Sequence, residues 1–191
     1  SRGLGDVYKR QAVGLVLGVV SFFNILYGTL VGISKFEVKD IEFHHPNLPK
    51  AFDGYRIVQL SDIHIGSWID NEKPINELVE LVNAQKPDLI VFTGDLVNQR
   101  SCELEGFQDI LAQLHAKDGV YSILGNHDYG SYYHWKNLKE QVNNIDNLVR
   151  MQKAMGWKLL NNEYDILHHE GDSIALIGVE NDGEPPFSQF A

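Results

Sequence analysis

Three short apolar segments recur along this chain, and each runs directly into a cluster of polar residues. The segments are YRIVQL, DLIVF and VYSIL, at residues 55–60, 88–92 and 120–124. Short runs of apolar and β-branched residues are typical of buried strands. The polar clusters are spaced by 33 residues from Asp62 to Asp95 and by 31 residues from Asp95 to Asn126, which is the length of one strand–helix–strand unit. This repeat predicts an α/β fold with a mainly parallel sheet.

The segments between and after these strands predict the other elements of that fold. Apolar side chains at helical spacing indicate α-helices over residues 72–84, 103–116 and 138–155. A fourth strand is predicted from residue 157, followed by a hairpin of residues 164–168 and 173–179. Residues 34–54 are interpreted as a polar connector in which residues 36–43 have strand character.

The polar clusters indicate a metal site. They are SDIH at residues 61–64, TGD at 93–95 and GNHD at 125–128. Because parallel strands end at one edge of a sheet, the clusters should converge in one crevice. Their oxygen and imidazole donors suit Mn, Fe or Zn ions rather than Cu(I), and converging carboxylates without nearby cationic side chains repel one another unless cations separate them. Each cluster alone is equally compatible with a solvated loop, a turn or a helix cap; the ordered combination favours metal binding.

The same clusters carry a resemblance to a known family. LSDIH, FTGDLVN and LGNHD resemble the first three signature blocks of the calcineurin-like metallophosphoesterases, over roughly residues 55–179, and FDGYRIVQLSDIHIGS is similar to the opening of bacterial membrane-anchored members. The resemblance implies a metallophosphoesterase-like layered sheet with flanking helices, here incomplete and preceded by a transmembrane helix. Residues 55–191 would be the N-terminal part of that domain, and its activity would be phosphoester hydrolysis.

Ligand roles follow from the resemblance, position by position. Asp62 and His64 would bind the first of two divalent metal ions, Asp95 would bridge both ions, and Asn126 would bind the second. The ions are expected to be Mn, Fe or Zn, with their identity left open. In the family mechanism, a hydroxide held between the ions attacks phosphorus in line.

Two further residues receive catalytic roles in the same way. His127 would stabilise the transition state or protonate the leaving group, and Asp128 would orient His127. The alternative interpretation of Asp128 is a helix N-cap. Aromatic residues follow this cluster and are interpreted as loop packing, or as the lining of a substrate cleft or membrane interface: Tyr129, Tyr132, Tyr133 and Trp135.

The family's later signature blocks contribute further histidines that have no counterpart before residue 191. The His168-His169 pair lies in the predicted hairpin and is expected to face solvent, and His44-His45 lies in the connector. We therefore expect the 191-residue chain to bind metal weakly and to hydrolyse phosphoesters slowly or not at all.

The N-terminal segment predicts a membrane anchor. Residues 12–33 contain no Asp, Glu, Lys or Arg, and a helix of this length spans about 33 Å, close to the hydrocarbon core of a bilayer. A buried core helix and an uncleaved signal segment are the alternatives. Positive charges flank both ends equally, which leaves the orientation open. Residues 1–11, SRGLGDVYKRQ, resemble translated adapter sequence and are interpreted as a non-native leader.

Charge and cysteine content limit the partners. Residues 1–33 carry a formal charge of +2, which leaves −12 on the rest of a chain whose net charge is −10. An acidic body argues against nucleic-acid binding, which depends on Lys and Arg. The single cysteine, Cys102, excludes an intrachain disulfide framework and a cysteine-cluster zinc site. The expected partners are the membrane and a phosphoester, for which a lipid-linked compound is one class; the oligomeric state stays open.

Two other functions compete with the hydrolase. A non-catalytic metal-binding or scaffold domain of the same fold is the first alternative, and retention of the metal-site clusters favours the enzyme over it. A nucleotide-binding domain without metals ranks last, because neither Gly-x-Gly-x-x-Gly nor a P-loop follows the first strand.

Overall fold

The computed structural model describes residues 2–30 and 32–181, and the chain divides into two compact units, Ser1–Phe43 and His44–Ala191. The last ten residues of the predicted domain, 182–191, lie outside the described residues, as do Ser1 of the predicted leader and Val31 of the predicted span. Each unit is described by itself.

The first unit is one long helix, α1 (Arg2–Leu30), followed by a turn of 3-10 helix at Gly32–Ser34. The apolar stretch Gly5–Ser34 is long and apolar enough to cross a membrane, and it contains the predicted span. Residues 2–11 of the predicted leader are helical and form the first part of α1. The prediction of strand character for residues 36–43 is wrong, because these residues have no regular secondary structure; β-branched and aromatic residues favour a strand only where the segment is incorporated into a sheet.

The second unit is built on a four-stranded parallel sheet in the order β1-β2-β3-β4. The strands are β1 (Ile57–Leu60), β2 (Leu89–Phe92), β3 (Val120–Ser122) and β4 (Lys158–Leu159). The register pairs Leu60 with Phe92 and Phe92 with Ser122, so the first three strands end side by side. The predicted parallel α/β arrangement is confirmed, with each of the first three strands one or two residues shorter than its apolar run.

Helices connect these strands, and two of them follow the prediction closely. They are α2 (Lys73–Ala84) and α4 (Leu138–Ala154). Buried side chains on one face of α2 repeat at helical spacing, as an amphipathic helix on a sheet requires. Gly156, with a φ of +84°, follows the end of α4, in the left-handed conformation that glycine favours after helices.

The prediction of a helix over residues 103–116 is wrong in extent. A 3-10 helix at Ser101–Leu104 is followed by a single turn, α3 (Gln108–Leu111). Between them Gly106 has a φ of +87°, which a continuous right-handed helix does not permit. The Glu103 carboxylate accepts hydrogen bonds from the backbone amides of residues 98–100 and so stabilises the alternative local fold.

The predicted hairpin is confirmed as β5 (Glu163–His169) and β6 (Asp172–Gly178), an antiparallel pair. Leu167 of β5 packs with Leu89 and Tyr121 of the parallel sheet in one buried cluster. His168 is exposed as expected, but His169 is half-buried, with its ring 5.8 Å from Phe52. The expectation that both histidines face solvent is therefore wrong for His169, which fills an aromatic contact.

Candidate metal centre

The polar loops that follow β1 and β2 are joined by backbone hydrogen bonds. The amide of Asp62 donates to the carbonyl of Gly94 at 3.0 Å, and the amide of His64 donates to the carbonyl of Asp95 at 3.1 Å. Asp62, His64 and Asp95 all have positive φ, of 55°, 46° and 60°. Such values are uncommon outside glycine and cluster at functional sites. The backbone bonds offset this strain and aim the three side chains into one region.

Two glycines let the second and third loops touch. Gly94 has a φ of +97°, and a Cβ placed there would lie closer than 3.0 Å to the backbone nitrogen of Gly125. A Cβ on Gly125 would meet the carboxylate of Asp95 at a similarly forbidden distance. Any larger residue would force these loops apart. The two glycines thus set the separation of the loops that carry Asp95 and Asn126.

A group of metal-competent side chains forms where these loops meet. His64, Asp95 and His127 each present one donor atom, and the three atoms lie within 4.8 Å of one another. Nε2 of His64 is 3.8 Å from Oδ2 of Asp95 and 3.7 Å from Oδ1 of Asp62. The Asp95 side chain is 12% exposed and that of Asp62 is 64% exposed. Two imidazoles with one or two carboxylates suit a first-row divalent ion, so the donor set fits the predicted metal.

Asn126 lines the same cleft as the carboxylates. The cleft has a volume of about 390 Å³ and is bounded by Asp62, Asp95 and Asn126 on the loop side and by Glu180 on the other. Nδ2 of Asn126 donates to the hydroxyl of Tyr132 at 2.9 Å. The structure thus brings together all four predicted metal ligands and His127.

His127 is held by the loop that carries Asp95. Its backbone amide donates to Oδ1 of Asp95 at 2.9 Å, and its Nδ1 is 2.7 Å from the carbonyl oxygen of Asn98. A carbonyl can only accept, so Nδ1 of His127 donates this hydrogen bond and Nε2 is the ring nitrogen left to face the site. The ring meets that of His64 edge-on, with centroids 4.6 Å apart. Sequence reasoning missed Asn98, although it lies within the FTGDLVN block.

Asp128 is the most deeply buried polar residue of the site, with no exposed surface. Its carboxylate accepts from the backbone amides of residues 95–97 and from that of Gly125, at 2.8 to 3.1 Å. Burial raises the pKa of Asp128 to about 7, in spite of these amide donors, and the charge of Asp95 acts in the same direction. The carboxylate therefore fixes two loops to each other.

This geometry gives Asp128 a role that neither interpretation included, while its orienting effect on His127 stays a prediction. Its hydrogen bonds go to backbone amides, while the His127 ring is held by the carbonyl of Asn98. It is also not a helix N-cap: the helix that follows, α4, is capped by Asn137, whose side chain accepts from the amide of Glu140. The physical reason is burial, since a carboxylate without solvent must satisfy its oxygens with nearby donors, and four loop amides supply them.

Comparison with known proteins identifies relatives of this chain. Residues 55–185 match the family described as calcineurin-like phosphoesterase. A transmembrane protein with metallophosphoesterase domain from Danio rerio is 35% identical over 177 residues, covering 91% of this chain and 37% of its own length. A metallophosphoesterase from Campylobacter jejuni is 32% identical over 158 residues, covering 83% of this chain and 38% of its own length.

A third relative has a named substrate. The UDP-2,3-diacylglucosamine pyrophosphatase LpxG of Chlamydia trachomatis is 36% identical over 103 residues, covering 52% of this chain and 31% of its own length. The chain spans between 31% and 38% of the length of these three curated relatives.

Proposed function

Because the chain belongs to the calcineurin-like phosphoesterase family, we propose that it is the metal-binding part of a membrane-tethered, metal-dependent phosphoester hydrolase. The observation that carries this proposal is the convergence of His64, Asp95 and His127, whose donor atoms lie within 4.8 Å of one another. These residues come from three separate loops, and their remaining donor atoms face one another, as ligands of a shared cation would.

We propose that two divalent ions occupy this site, held by the predicted ligands. Asp62 and His64 would hold one ion, Asn126 the other, and Asp95 both. Bound divalent cations lower the pKa of water and neutralise phosphoryl oxygens. The 3.7–3.8 Å separations of His64 from the two aspartates support a shared ion between them, because they are too long for direct hydrogen bonds.

His127 is proposed as the group that acts on the leaving oxygen. The carbonyl of Asn98 accepts the hydrogen bond from Nδ1. Nε2 is therefore the atom that would exchange a proton with the leaving oxygen or stabilise the charge that develops on it. A protonated imidazole there would donate to the departing alkoxide. Asp128 acts indirectly, because its carboxylate holds together the loops that carry Asp95 and Gly125.

Membrane tethering is proposed from α1. Its described apolar side chains are exposed, for example Leu15 at 70% and Phe22 at 62%, and such a surface is stable only in lipid or against a partner. A tethered hydrolase meets substrates that are themselves in the membrane. The relationship to a diacylglucosamine pyrophosphatase supports a lipid-linked phosphoester as the substrate class.

The proposal is tested on the purified chain in detergent, by Mn²⁺ equilibrium dialysis together with hydrolysis of p-nitrophenyl phosphate and its bis ester. We expect bound Mn²⁺ that is lost in Asp95→Asn and His64→Ala, and Mn²⁺-dependent hydrolysis, slow in this chain, that EDTA and Asp95→Asn abolish. Asp146→Asn, an exposed change in α4, is the matched control and should bind and hydrolyse like the parent.

The same experiment separates the enzyme from the scaffold alternative. Site-specific Mn²⁺ binding without hydrolysis of either ester would favour a non-catalytic metal-binding domain. Binding that is unchanged in Asp95→Asn would contradict the metal site itself, and with it both interpretations.

A further inference from the structure

Tyr132 contacts two residues of the candidate metal centre at once. Its hydroxyl accepts a hydrogen bond from Nδ2 of Asn126 at 2.9 Å. Its ring lies against that of His127, with centroids 4.7 Å apart and planes inclined by 36°. Tyr132 lies six residues beyond Asn126 in a loop without helix or strand, so these contacts come from how the loop folds back.

The hydrogen bond distinguishes the two ends of the Asn126 amide. A side-chain amide binds a cation through its oxygen, because the NH₂ group has no lone pair to offer. With Nδ2 committed to the Tyr132 hydroxyl, Oδ1 is the atom available to a cation in the cleft that Asn126 lines with Asp62 and Asp95. An amide flip would turn NH₂, which cannot bind a cation, toward the cleft and would require the Tyr132 hydroxyl to donate instead of accept.

The ring contact restricts His127 in a second direction. His127 already meets the carbonyl of Asn98 at Nδ1 and the ring of His64 edge-on. Tyr132 adds a tilted aromatic contact, and such pairs contribute beyond the area they bury. The imidazole is therefore bounded by a carbonyl and two rings.

We infer that Tyr132 is a positioning residue of this centre: its hydroxyl fixes the metal-binding orientation of Asn126, and its ring fixes that of His127. The inference rests on the proposed function, since it takes Asn126 as a metal ligand. Groups that orient metal ligands in this way commonly change metal affinity by about 10- to 100-fold when removed.

The test measures Mn²⁺ affinity of the full chain by electron paramagnetic resonance of the unbound ion. Tyr132→Phe, which keeps the ring, should weaken binding by about 10-fold, and Asn126→Ala should weaken it at least as much. Because the hydroxyl acts through Asn126, the double variant should bind no more weakly than Asn126→Ala alone. Tyr133→Phe is the matched control: Tyr133 is 40% exposed against 41% for Tyr132, and its ring packs on Trp135 and Arg100. Its affinity should stay within about twofold of the parent.

The ring contact has its own spectroscopic signature. In the proton NMR spectrum, the imidazole resonances of His127 should lose their ring-current shift in Tyr132→Leu and keep it in Tyr132→Phe. Thermal unfolding of the metal-free variants should match the parent, which separates positioning from loss of fold.

The outcomes are distinguishable. Two results overturn the inference and leave the proposed function standing. One is a Mn²⁺ affinity of Tyr132→Phe equal to that of the parent. The other is a double variant that binds Mn²⁺ more weakly than Asn126→Ala by the full effect of Tyr132→Phe. Parent-like affinity in Asn126→Ala overturns both the inference and the assignment of Asn126 as a ligand. Weakened binding in both single variants without additivity supports the inference.

Discussion

Asp128 accepts a hydrogen bond from the backbone amide of Asp95 at 2.8 Å, although the two residues are 33 positions apart in the chain. The same carboxylate accepts from Gly125, in its own loop. One buried side chain thus holds together the loops that present Asp95 on one side and Asn126 and His127 on the other. The candidate metal centre is thus held together by a carboxylate whose oxygens bind loop amides.

Replacement of Asp128 should therefore destabilise the fold as well as the site. Asp128→Ala leaves four amides without their acceptor, and each buried donor that stays unsatisfied costs about 1–3 kcal/mol. Asp128→Asn keeps one accepting oxygen and should lose less. Urea unfolding followed by tryptophan fluorescence measures both, because Trp68 and Trp157 are buried.

Asp146→Ala provides the control for that measurement. Asp146 is an exposed residue of α4, and surface changes of this kind usually stay within about 0.5 kcal/mol. A free energy of unfolding for Asp128→Ala that equals that of Asp146→Ala would show that the four amides find other partners.

A second prediction separates loop contact from backbone strain. Gly94 and Gly119 have nearly the same φ, +97° and +94°, but only at Gly94 would a Cβ meet the neighbouring loop, at Gly125. Gly119→Ala should cost about 1–2 kcal/mol through its left-handed backbone alone. Gly94→Ala adds steric overlap worth about 1–3 kcal/mol and should also abolish Mn²⁺ binding, because the loops must separate.

Unfolding free energies and Mn²⁺ dialysis on the two variants check this difference. If Gly119→Ala lost Mn²⁺ binding to the same degree as Gly94→Ala, general destabilisation and not the loop contact would be the cause.

The elements that local patterns determine were predictable from the sequence. Buried strands and amphipathic helices each bury a set of apolar side chains, so β2, β3, α2 and α4 follow from periodicity. β1 forms where its apolar run predicts a strand, but the prediction that it is buried is wrong, because none of its residues is buried and Ile57 is 51% exposed. The convergence of Asp62, Asp95 and Asn126 followed from the parallel order of the strands. The continuous helix predicted over residues 103–116 does not form, although the apolar spacing favours it. The Glu103 carboxylate binds backbone amides there, and Gly106 has a positive φ.

Contacts between distant loops were not predictable in the same way. The amide acceptor role of Asp128 and the carbonyl of Asn98 at His127 depend on backbone groups, which carry no sequence signal of their own. Tyr132 was recognised only as one of several aromatic residues, because nothing in the order of those residues shows which of them folds back onto His127. Sequence thus predicted which polar side chains come together, and not the backbone and aromatic groups that they contact.

A third prediction concerns pH. Burial by itself raises the pKa of Asp88, but hydrogen bonds from Lys117 and from the backbone amide of Arg56 outweigh it, so that the pKa of Asp88 lies below its usual value. A carboxyl with a lowered folded pKa stabilises the fold above its unfolded pKa of about 3.9 and loses that contribution as pH falls through the folded value. The positive charge of His169 acts in the same direction.

Lys117→Met should therefore raise the folded pKa of Asp88 and move the acid-unfolding midpoint to higher pH. Circular dichroism between pH 2 and pH 6 (roughly the range in which carboxyls titrate) measures the midpoint. Lys139→Met, at an exposed site in α4, is the control and should leave it unchanged. Coincident acid-unfolding curves for the two variants would show that Lys117 does not stabilise the ionised Asp88.

The final prediction tests the membrane anchor through charge placed in the apolar stretch of α1. Leu17 and Phe22 are both about 62% exposed on this helix, and an arginine near the centre of a membrane-spanning helix costs about 2.5–3.5 kcal/mol. The parent chain should stay in the membrane pellet after carbonate extraction, and Leu17→Arg/Phe22→Arg should move to the soluble fraction. Leu138→Arg/Val142→Arg places the same two charges on exposed positions of α4 and should stay in the pellet. Release of the parent chain by carbonate would mean that α1 does not span the bilayer. Release of the α4 variant would mean that the extraction depends on added charge and not on membrane insertion.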